Sequence, residues 1–491
     1  MWMLLLLFLS LILAALLWVK RIPKNLPPGP PVLPFVGNAL SLMEPGQSYK
    51  TVQKWVKEYG PLVRVYVGNT LVVVLGDYKM IHEALIKQGD AFSGRPAFAA
   101  FLPKGVPPNH GLVMSEGDLW KEQRRFALST LRDFGFGRPI LEPSIMNEAE
   151  HLLVGLAKTQ GRPTDLRKLL NNAVSNVICS MVFSKRFESG DDHFCTVLDQ
   201  INYRASESEI EFISPFVICD TVAKLLSVLP EVKKFKKEGD ELAEYVGELI
   251  KETQRTYDPD KEPSNYIHAF MKAAGCGQGD YFNSQQLLAT VMDLFMAGTD
   301  TTAGTLRWGL FFMAKHPDIQ ERIYRELAEV VGTDGQLPQL AHRSRLIYTE
   351  AALTEIQRIA TLAPMAAMHK TTVDTELCGY QIPKDSLVLP FLWNVLHDPD
   401  YYKEPEDFNP NRFLDEEGKP KKDPVCIPFS TGRRVCLGES LAKLELFLFF
   451  TALVLKYRFS FPPDAPPPVL RRFVGFTSSL GTFTICAEAR K

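Results

Sequence analysis

The first 19 residues, MWMLLLLFLSLILAALLWV, are apolar except for Ser10. At about 1.5 Å of rise per residue, a helix of this length nearly matches a hydrocarbon layer of roughly 30 Å. Lys20, Arg21 and Lys24 follow the run, and no lysine or arginine precedes it. Positive charge on the C-terminal side holds that flank in the cytosol. The pattern predicts an uncleaved transmembrane anchor over residues 1–20; the alternative, a cleaved secretory signal, would show a basic start and a small-residue cleavage site.

A proline-rich segment, PKNLPPGPPVLPFVGN, follows the anchor. Pro27, Pro28, Pro30 and Pro31 cannot continue a helix and favour stiff, extended backbone. We therefore expect residues 21–38 to form a basic, proline-rich hinge that sets the orientation of the body relative to the membrane.

The remaining residues, 39–491, are expected to form one large body. The chain has 491 residues, of which 46% are hydrophobic, and a net charge of −2. That balance argues against a nucleic-acid-binding protein, which normally has a basic face. The eight cysteines are irregularly spaced and match neither a disulfide framework nor a zinc site. All except Cys436 are expected to be buried, reduced, small hydrophobic residues.

Residue patterns predict a mainly α body with a smaller β portion (α+β). Residues 62–76, LVRVYVGNTLVVVLG, contain two β-branched runs joined at Gly68-Asn69, which predicts a hairpin. From about residue 78 to 360 the spacing of apolar residues is mostly helical. The C-terminal residues return to a composition typical of strands.

Cys436 lies in the stretch PFSTGRRVCLGES, residues 428–440, just before a run typical of a helix. A thiolate is stabilised at a helix N-terminus and beside cations, and two arginines lie just upstream. Gly432 and Gly438 would let the backbone turn tightly and approach a flat group. A lone anionic sulfur in this setting is suited to be the ligand of a soft metal centre such as haem iron. A catalytic nucleophile and a buried structural cysteine remain the alternatives, although no adjacent histidine would serve as the base of a nucleophile.

The spacing Phe429-x-x-Gly432-x-Arg434-x-Cys436-x-Gly438 resembles the cysteine-ligand loop of the cytochromes P-450, which are haem-thiolate monooxygenases. Further motifs occur in the order of that family, and the resemblance covers essentially the whole chain, most closely the microsomal family 2 group. These motifs are WKEQRR with Trp120 and Arg124, AGTDTT with Ala297 to Thr302, EIQR with Glu355 and Arg358, and FNPNRF with Arg412.

The resemblance implies the cytochrome P-450 fold, a triangular, helix-rich prism, with residues 39–491 as a cytosolic haem-binding catalytic domain. It implies haem b as the cofactor and Cys436 as the iron ligand, with Phe429 shielding the sulfur. Buried haem propionates need cationic partners. The cofactor-binding residues that it implies are Trp120, Arg124, Ala297, His369, Phe429, Arg434, Cys436 and Gly438.

Asp300 and Thr301 lie inside a long apolar helix, where a charge and a hydroxyl are costly unless they are hydrogen-bonded. We expect Gly298 and the threonines to let this helix open locally and hold water. The resemblance implies that Asp300 and Thr301 are catalytic and relay protons during oxygen activation. The alternative is a threonine that only satisfies backbone carbonyls.

This acid–alcohol pair favours a monooxygenase over two rivals. Haem-thiolate isomerases and dehydratases that rearrange hydroperoxides often lack the pair. A haem-binding sensor or carrier without catalysis would not need it.

No flavin or nicotinamide fingerprint is convincing, so electrons are expected from a separate protein, NADPH–cytochrome P-450 reductase, with cytochrome b5 as an optional second donor. A basic patch near the cysteine loop could steer such an acidic partner. The patch would consist of Lys121, Arg125, Lys421, Lys422 and Arg433.

The expected substrate is a lipophilic small molecule: a fatty acid, a steroid or a xenobiotic. By resemblance, the pocket is drawn from mostly apolar segments at 98–108, 200–220, 293–301, 361–368 and 473–481. The acidic stretch 207–211 is more simply a solvated face, and Asp293 a structural hydrogen-bonding group. The expected location is the endoplasmic reticulum membrane.

Overall fold

The computed structural model describes residues 23, 25–42, 47–97, 102–207, 229–276, 281–464, 473–474 and 476–490. The predicted anchor, residues 1–20, lies outside these ranges. Within them, no helix is both long enough and apolar enough to cross a membrane.

Thirteen α-helices build most of the described chain. They are α1 (Ser48–Tyr59), α2 (Tyr78–His82), α3 (Gly117–Asp133), α4 (Glu142–Ala157), α5 (Arg167–Phe183), α6 (Asp192–Asn202), α7 (Pro230–Gln254), α8 (Tyr266–Gly275), α9 (Ser284–Lys315), α10 (Pro317–Val331), α11 (Ile347–Ala360), α12 (Leu392–Leu396) and α13 (Glu439–Lys456).

Ten strands form the β portion of the described chain. They are β1 (Leu62–Val67), β2 (Thr70–Leu75), β3 (His369–Lys370), β4 (Thr375–Leu377), β5 (Tyr380–Ile382), β6 (Leu387–Pro390), β7 (Tyr457–Ser460), β8 (Phe473–Val474), β9 (Ser478–Ser479) and β10 (Cys486–Ala489). One sheet has the order β1-β2-β6-β3, and the pairs β10-β7, β4-β5 and β8-β9 are separate. The predicted hairpin is confirmed: Val67 pairs with Thr70, so Gly68 and Asn69 form its turn.

Helix α9 lies at the centre of the largest hydrophobic core and contacts α5, α11 and α13. It starts at a side-chain cap, because Asn283 accepts a hydrogen bond from the Gln286 amide at 2.8 Å. Most of its 32 residues are buried, as expected for a helix that is apolar all round. The functional threonines of the sequence analysis therefore lie within the core and not at its edge.

The proline-rich segment is docked on the body over residues 25–38. The Arg64 amide in β1 donates to Pro28 O at 2.9 Å, and a Cβ on Gly29 would lie 2.1 Å from Arg64 O. Asn38 Nδ2 donates to Pro31 O at 2.7 Å. This contact fixes where the chain leaves the body; the boundaries of anchor, hinge and domain stay a prediction.

The described cysteines are all free thiols. The prediction that they are buried is right for Cys179 and Cys486 but wrong for Cys276 and Cys378, which are exposed. Cys276 ends α8, and Cys378 occupies the tight turn between β4 and β5 with a φ of 51°. Both cysteines are exposed because they lie where a helix or strand ends, and the spacing of cysteines in the sequence does not show where those ends are.

Candidate functional site

The loop before α13 positions Cys436. The Cys436 amide donates to Phe429 O at 3.1 Å, which closes the loop. Gly432 has a φ of +79°, and a Cβ there would lie 2.1 Å from Leu85 O, so only glycine fits. Gly438, with a φ of −83°, has ordinary backbone geometry. A left-handed turn is therefore observed at Gly432, whereas Gly438 has a negative φ that other residues also adopt; the approach of either glycine to a flat group stays a prediction.

The Cys436 sulfur lies among groups with opposing effects on its ionisation, and burial and the Glu439 charge leave its pKa raised overall. Burial raises the pKa of the thiol, whereas the amides of Gly438 and Glu439 and the Arg124 guanidinium lower it. The side chain is nevertheless open to solvent-sized space. Protein therefore surrounds much of the sulfur while part of the side chain stays accessible.

A cluster of cations lies beside this loop. The Arg434 guanidinium stacks over the Trp120 ring at 3.7 Å and donates to Ser93 O and Ser115 O at 2.9 and 2.7 Å. Arg124 Nη2 donates to Val435 O at 2.6 Å. The fold thus brings together helix α3 and the cysteine loop, which are more than 300 positions apart in sequence.

Arg95 joins this cluster and was missed by the sequence analysis. It is buried, and it donates to Val113 O at 3.0 Å and to Ala367 O at 2.8 Å. Burial, followed by the charge of Arg124, lowers its pKa to about 10. Its sequence context, Gly94-Arg95-Pro96, contains no chemical signal. Only the tertiary fold identifies it.

His369 is buried as a neutral imidazole. Its Nδ1 lies 2.8 Å from Phe92 O, an acceptor only, so Nδ1 must carry the proton. Burial, followed by the charges of Arg95 and Arg434, holds its pKa well below the usual value. Nε2 could donate to an anion only after gaining a proton.

The cluster has the properties that the two carboxylates of a haem require. Trp120 Nε1 and Arg434 Nη1 are buried and lack a hydrogen-bond partner among the described residues. Burial and the charges of Arg95 and Arg124 lower the pKa of Arg434 to about 8, while Glu116 raises it. Two buried donors and surplus positive charge need anionic acceptors. The residues present therefore fit haem propionates.

Asp300 and Thr301 lie on α9. Asp300 is buried, and its Oδ2 accepts a hydrogen bond from Thr477 Oγ1 at 2.8 Å. Thr301 Oγ1 donates to Ala297 O at 2.7 Å. Ala297 is exposed in the middle of this helix, whereas Phe295 is fully buried. The exposed face of Ala297 and the half-exposed Thr301 therefore open onto space within the core.

The prediction that α9 opens locally near Gly298 is wrong, because the helix is continuous from Ser284 to Lys315. Its threonine hydroxyls bind carbonyls one turn back, as Thr305 Oγ1 does to Thr301 O at 2.9 Å. Such bonds add to the helical ladder without replacing it. The observed Thr301 contact is the one expected from the alternative, purely structural role.

Asp293 makes structural hydrogen bonds, as the sequence analysis favoured. Its Oδ2 accepts from the Leu112 and Val113 amides at 2.6 and 2.9 Å. Burial raises its pKa to about 6, although both amides oppose the shift. These bonds hold the segment before α3 against α9. The acidic side chains of Glu209 and Glu211 lie outside the described residues.

The EIQR motif forms a buried ion-pair cluster. Arg358 Nε donates to Glu355 Oε2 at 2.6 Å, and both side chains are fully buried. Arg412 Nε donates to Glu355 Oε1 at 3.2 Å. Arg358 also binds the Leu396 carbonyl. The cluster ties α11 to α12 and to the segment before the cysteine loop, and its contacts are structural.

The basic residues of the predicted patch are all exposed, but three have acidic neighbours. The pairs are Lys121 with Asp118, Arg125 with Glu122, and Arg433 with Asp90, at 2.9, 2.5 and 2.6 Å. Lys421 lines a surface groove of about 370 Å³ together with Phe429 and Lys443. Among the described residues, Lys421 and Lys422 make no ion pair, although Glu350, Asp423 and Glu439 also line the groove that contains Lys421.

The fold and this site define a haem-thiolate protein: a mainly α body, one cysteine before a helix, and buried cations for two carboxylates. The sequence model of the family Cytochrome P450 matches residues 27–486. The chain is 36% identical to Cytochrome P450 2G1 of Oryctolagus cuniculus, over 98% of this chain and 97% of that protein. It is 38% identical to Cytochrome P450 2J2 of Homo sapiens, over 97% and 94% respectively.

The chain therefore belongs to the cytochrome P-450 family. Its fold is the mainly α fold of that family, with a smaller β portion. Members of the family bind haem b through a cysteine thiolate and are monooxygenase oxidoreductases. The predicted family, cofactor and enzyme class are confirmed.

Proposed function

We propose that this protein is a microsomal monooxygenase that hydroxylates or epoxidises a lipophilic small molecule, using dioxygen and electrons from NADPH–cytochrome P-450 reductase. The observation that supports it best is the position of Cys436 at the start of α13, beside the buried Arg95 and Arg434, which form no ion pair among the described residues. The two relatives, Cytochrome P450 2G1 and Cytochrome P450 2J2, carry names of the family 2 group, which also supports a microsomal monooxygenase. Substrate candidates are fatty acids, steroids and xenobiotics.

Cys436 is proposed as the axial ligand. When bound, the haem iron and its thiolate supply the redox chemistry of oxygen activation. The amides of Gly438 and Glu439 favour the anionic sulfur. The Phe429 carbonyl accepts from the Cys436 amide at 3.1 Å, and the Phe429 ring, proposed to shield the sulfur, has its centroid 5.5 Å from Lys443 Nζ. The two amides and the proposed Phe429 shield would tune the electron donation of the sulfur.

The residues proposed to hold the haem propionates are Trp120, Arg124, His369 and Arg434. Arg95 is included because it lies in the same cluster. Trp120 Nε1 and Arg434 Nη1 are buried donors without a partner in the described part of the chain, so both could bind a propionate. His369 would contribute through Nε2 once protonated. The negative charge of a propionate would favour that protonation by offsetting Arg95 and Arg434. Ala297 and Gly438 would border the macrocycle.

Asp300 and Thr301 are proposed as the proton relay. Thr301 Oγ1 now donates its proton to Ala297 O, so it must turn away from that carbonyl to donate into the site. Asp300 is the nearest acid in sequence that could return the proton to it. The retention of both groups, at the cost of burying a carboxylate, supports the monooxygenase over a hydroperoxide isomerase.

The anchor, residues 1–20, is proposed to hold the protein in the endoplasmic reticulum membrane with a cytosolic catalytic domain. The reductase, and cytochrome b5 as an optional second donor, would approach the face with Lys421 and Lys422. Acidic proteins are drawn to such a face by its charge.

Two measurements test this function. Dithionite-reduced protein with carbon monoxide should give the strongly red-shifted Soret band of a thiolate-ligated haem. Cys436→Ser should give an ordinary haem–carbon monoxide band, whereas the control Cys426→Ser, another free cysteine of the same region, should keep the red shift. A red shift that survives in Cys436→Ser would refute the ligand assignment.

The reaction type is tested by turnover of lauric acid, a fatty-acid probe, and of cumene hydroperoxide. In the assay with lauric acid and no added hydroperoxide, a monooxygenase oxidises the substrate only when NADPH and reductase are supplied. Rearrangement of the hydroperoxide without NADPH, combined with no reductase-dependent oxidation, would favour the isomerase instead.

A further inference from the structure

Thr477, between β8 and β9, is bonded to two distant parts of the fold. Its amide donates to Ala205 O at 2.9 Å, in the turn Tyr203–Glu207 that follows α6. Its hydroxyl donates to Asp300 Oδ2 on α9 at 2.8 Å. A single residue thus connects the end of α6 with the acid of the proposed relay.

The hairpin around Thr477 is itself fixed. The Ser478 amide donates to Leu362 O at 2.7 Å, and Trp308 Nε1 donates to Ser478 O at 3.3 Å. Trp308 and Ser478 are both buried. The hydrogen bonds of Ser478 therefore fix the backbone next to Thr477, so the Thr477 hydroxyl has a defined position relative to Asp300.

The hydroxyl bond determines what the carboxylate of Asp300 can do. Asp300 is only 8% exposed, so its carboxyl oxygens depend on protein hydrogen-bond donors more than on water. A hydroxyl that donates its proton to Oδ2 favours the ionised carboxylate and restricts its rotation. An ionised, oriented carboxylate is the form that can accept a proton and return it during turnover.

We propose that Thr477 is a positioning residue for proton delivery: its hydroxyl orients the Asp300 carboxyl group, and it links that orientation to the end of α6. This inference rests on the proton relay of the proposed function. Because α6 precedes a segment expected to line the substrate pocket, a shift of Ala205 would reach Asp300 through one residue.

The test uses the full-length holoenzyme with reductase and lauric acid as the probe. The fraction of NADPH electrons found in product, as opposed to hydrogen peroxide, is measured in four variants: Thr477→Val, Thr477→Ser, Asp300→Asn and the double variant Thr477→Val/Asp300→Asn. Valine keeps the shape of threonine without the hydroxyl, and serine keeps the hydroxyl. Thr477→Ala replaces the valine variant if that protein does not fold, as judged by its carbon monoxide spectrum.

Thr477→Val should lower the product fraction by on the order of 10-fold, less than the 10²–10⁴-fold that direct loss of an acid–base group can cause. Thr477→Ser should restore it. In the Asp300→Asn background the valine substitution should have no further effect, because the residue through which it acts is already changed.

A second readout needs no substrate. In protein labelled with ¹³C-aspartate, the infrared carboxylate band that is lost in Asp300→Asn should shift in Thr477→Val and return in Thr477→Ser. A structural role elsewhere in the hairpin would leave this band in place.

The outcomes separate the two proposals. If Asp300→Asn keeps wild-type coupling, the relay is refuted and the inference with it. If Asp300→Asn uncouples the enzyme while Thr477→Val does not, only the inference is overturned. An equal loss on adding Thr477→Val to Asp300→Asn would also overturn it, because threonine would then act through pocket shape.

Discussion

Thr301 is a residue whose observed contact and proposed role differ, because its hydroxyl donates to Ala297 O. We predict that Thr301→Ala retains haem but diverts electrons to hydrogen peroxide, with product formation lowered by on the order of 10²-fold, typical of a lost acid–base group. Peroxide and product per NADPH are the measured quantities.

Thr305→Ala is the matched control for this change. It removes the same hydroxyl one turn later on α9, where Thr305 Oγ1 donates to Thr301 O. The control should remain coupled. Full coupling in Thr301→Ala would instead leave Thr301 with the structural role that its present hydrogen bond describes.

Arg434 and its sequence neighbour Arg433 give a sharp comparison. Arg434 is buried over Trp120, whereas Arg433 is exposed and pairs with Asp90. We predict that Arg434→Lys loses haem faster, by on the order of 10-fold, because lysine cannot reproduce the planar set of donors. Transfer of haem to apomyoglobin measures the rate.

Arg433→Lys should transfer haem at the wild-type rate. Equal rates in the two variants would remove Arg434 from the propionate site. The same comparison would then favour Arg95 and Arg124 as the cations that matter.

Single residues were predictable where a motif fixes their chemistry. Cys436, Trp120 and Arg434 come from spaced motifs, and the fold brings the last two into contact. Arg95 was not predictable, because its contacts are to backbone carbonyls that only folding brings near it. The continuous α9 was mispredicted because threonine hydroxyls can bind helix carbonyls without opening the helix.

At the scale of secondary-structure elements, the packing of α9 on α13 buries the carboxyl group of Glu445 in the core. Glu445 on α13 is fully enclosed, hydrogen-bonds Thr302 on α9, and burial raises its pKa from 4.5 to about 8. From pH 4.5 to 8, the unfolded state therefore releases a proton that the folded state keeps. The free energy of unfolding should fall as pH rises, by up to about 1.4 kcal/mol per pH unit.

Glu445→Gln removes this titration while keeping the shape. We predict that urea midpoints of wild type and Glu445→Gln agree near pH 4.5 and diverge towards pH 8, where the variant is more stable. Glu439→Gln, at the half-buried start of the same helix where Glu439 pairs with Lys443 at 2.7 Å, is the control and should keep the wild-type slope. Parallel curves for wild type and Glu445→Gln would contradict a buried titrating carboxyl.

Long elements were predictable and short ones were not. The hairpin β1–β2 and the helix α9 have enough residues to show their periodicity. Strands β3, β8 and β9 have two residues each, too few for a pattern. Yet β3 contains His369, and Thr477 joins β8 to β9. Strands too short to be predicted from the sequence therefore position these two site residues.

Surface charge acts at the scale of the whole molecule. The net charge is only −2, so a partner is guided by local asymmetry and not by the overall field. Three of the five predicted basic residues form ion pairs with acidic neighbours, whereas Lys421 and Lys422 form none among the described residues. This difference could not be predicted from the sequence. The fold class followed from residue patterns, but the location of net positive charge did not.

We therefore predict that Lys421→Glu/Lys422→Glu raises the reductase concentration needed for half-maximal turnover by on the order of 10-fold at low salt, because association depends on steering. The effect should shrink as ionic strength rises towards about 1 M, where charges are screened beyond about 3 Å. Lys233→Glu/Lys236→Glu, which makes the same charge change at exposed positions on α7, should leave that concentration unchanged. An equal loss in both double variants would mean that the reductase responds to net charge, and the docking face near Lys421 would be abandoned.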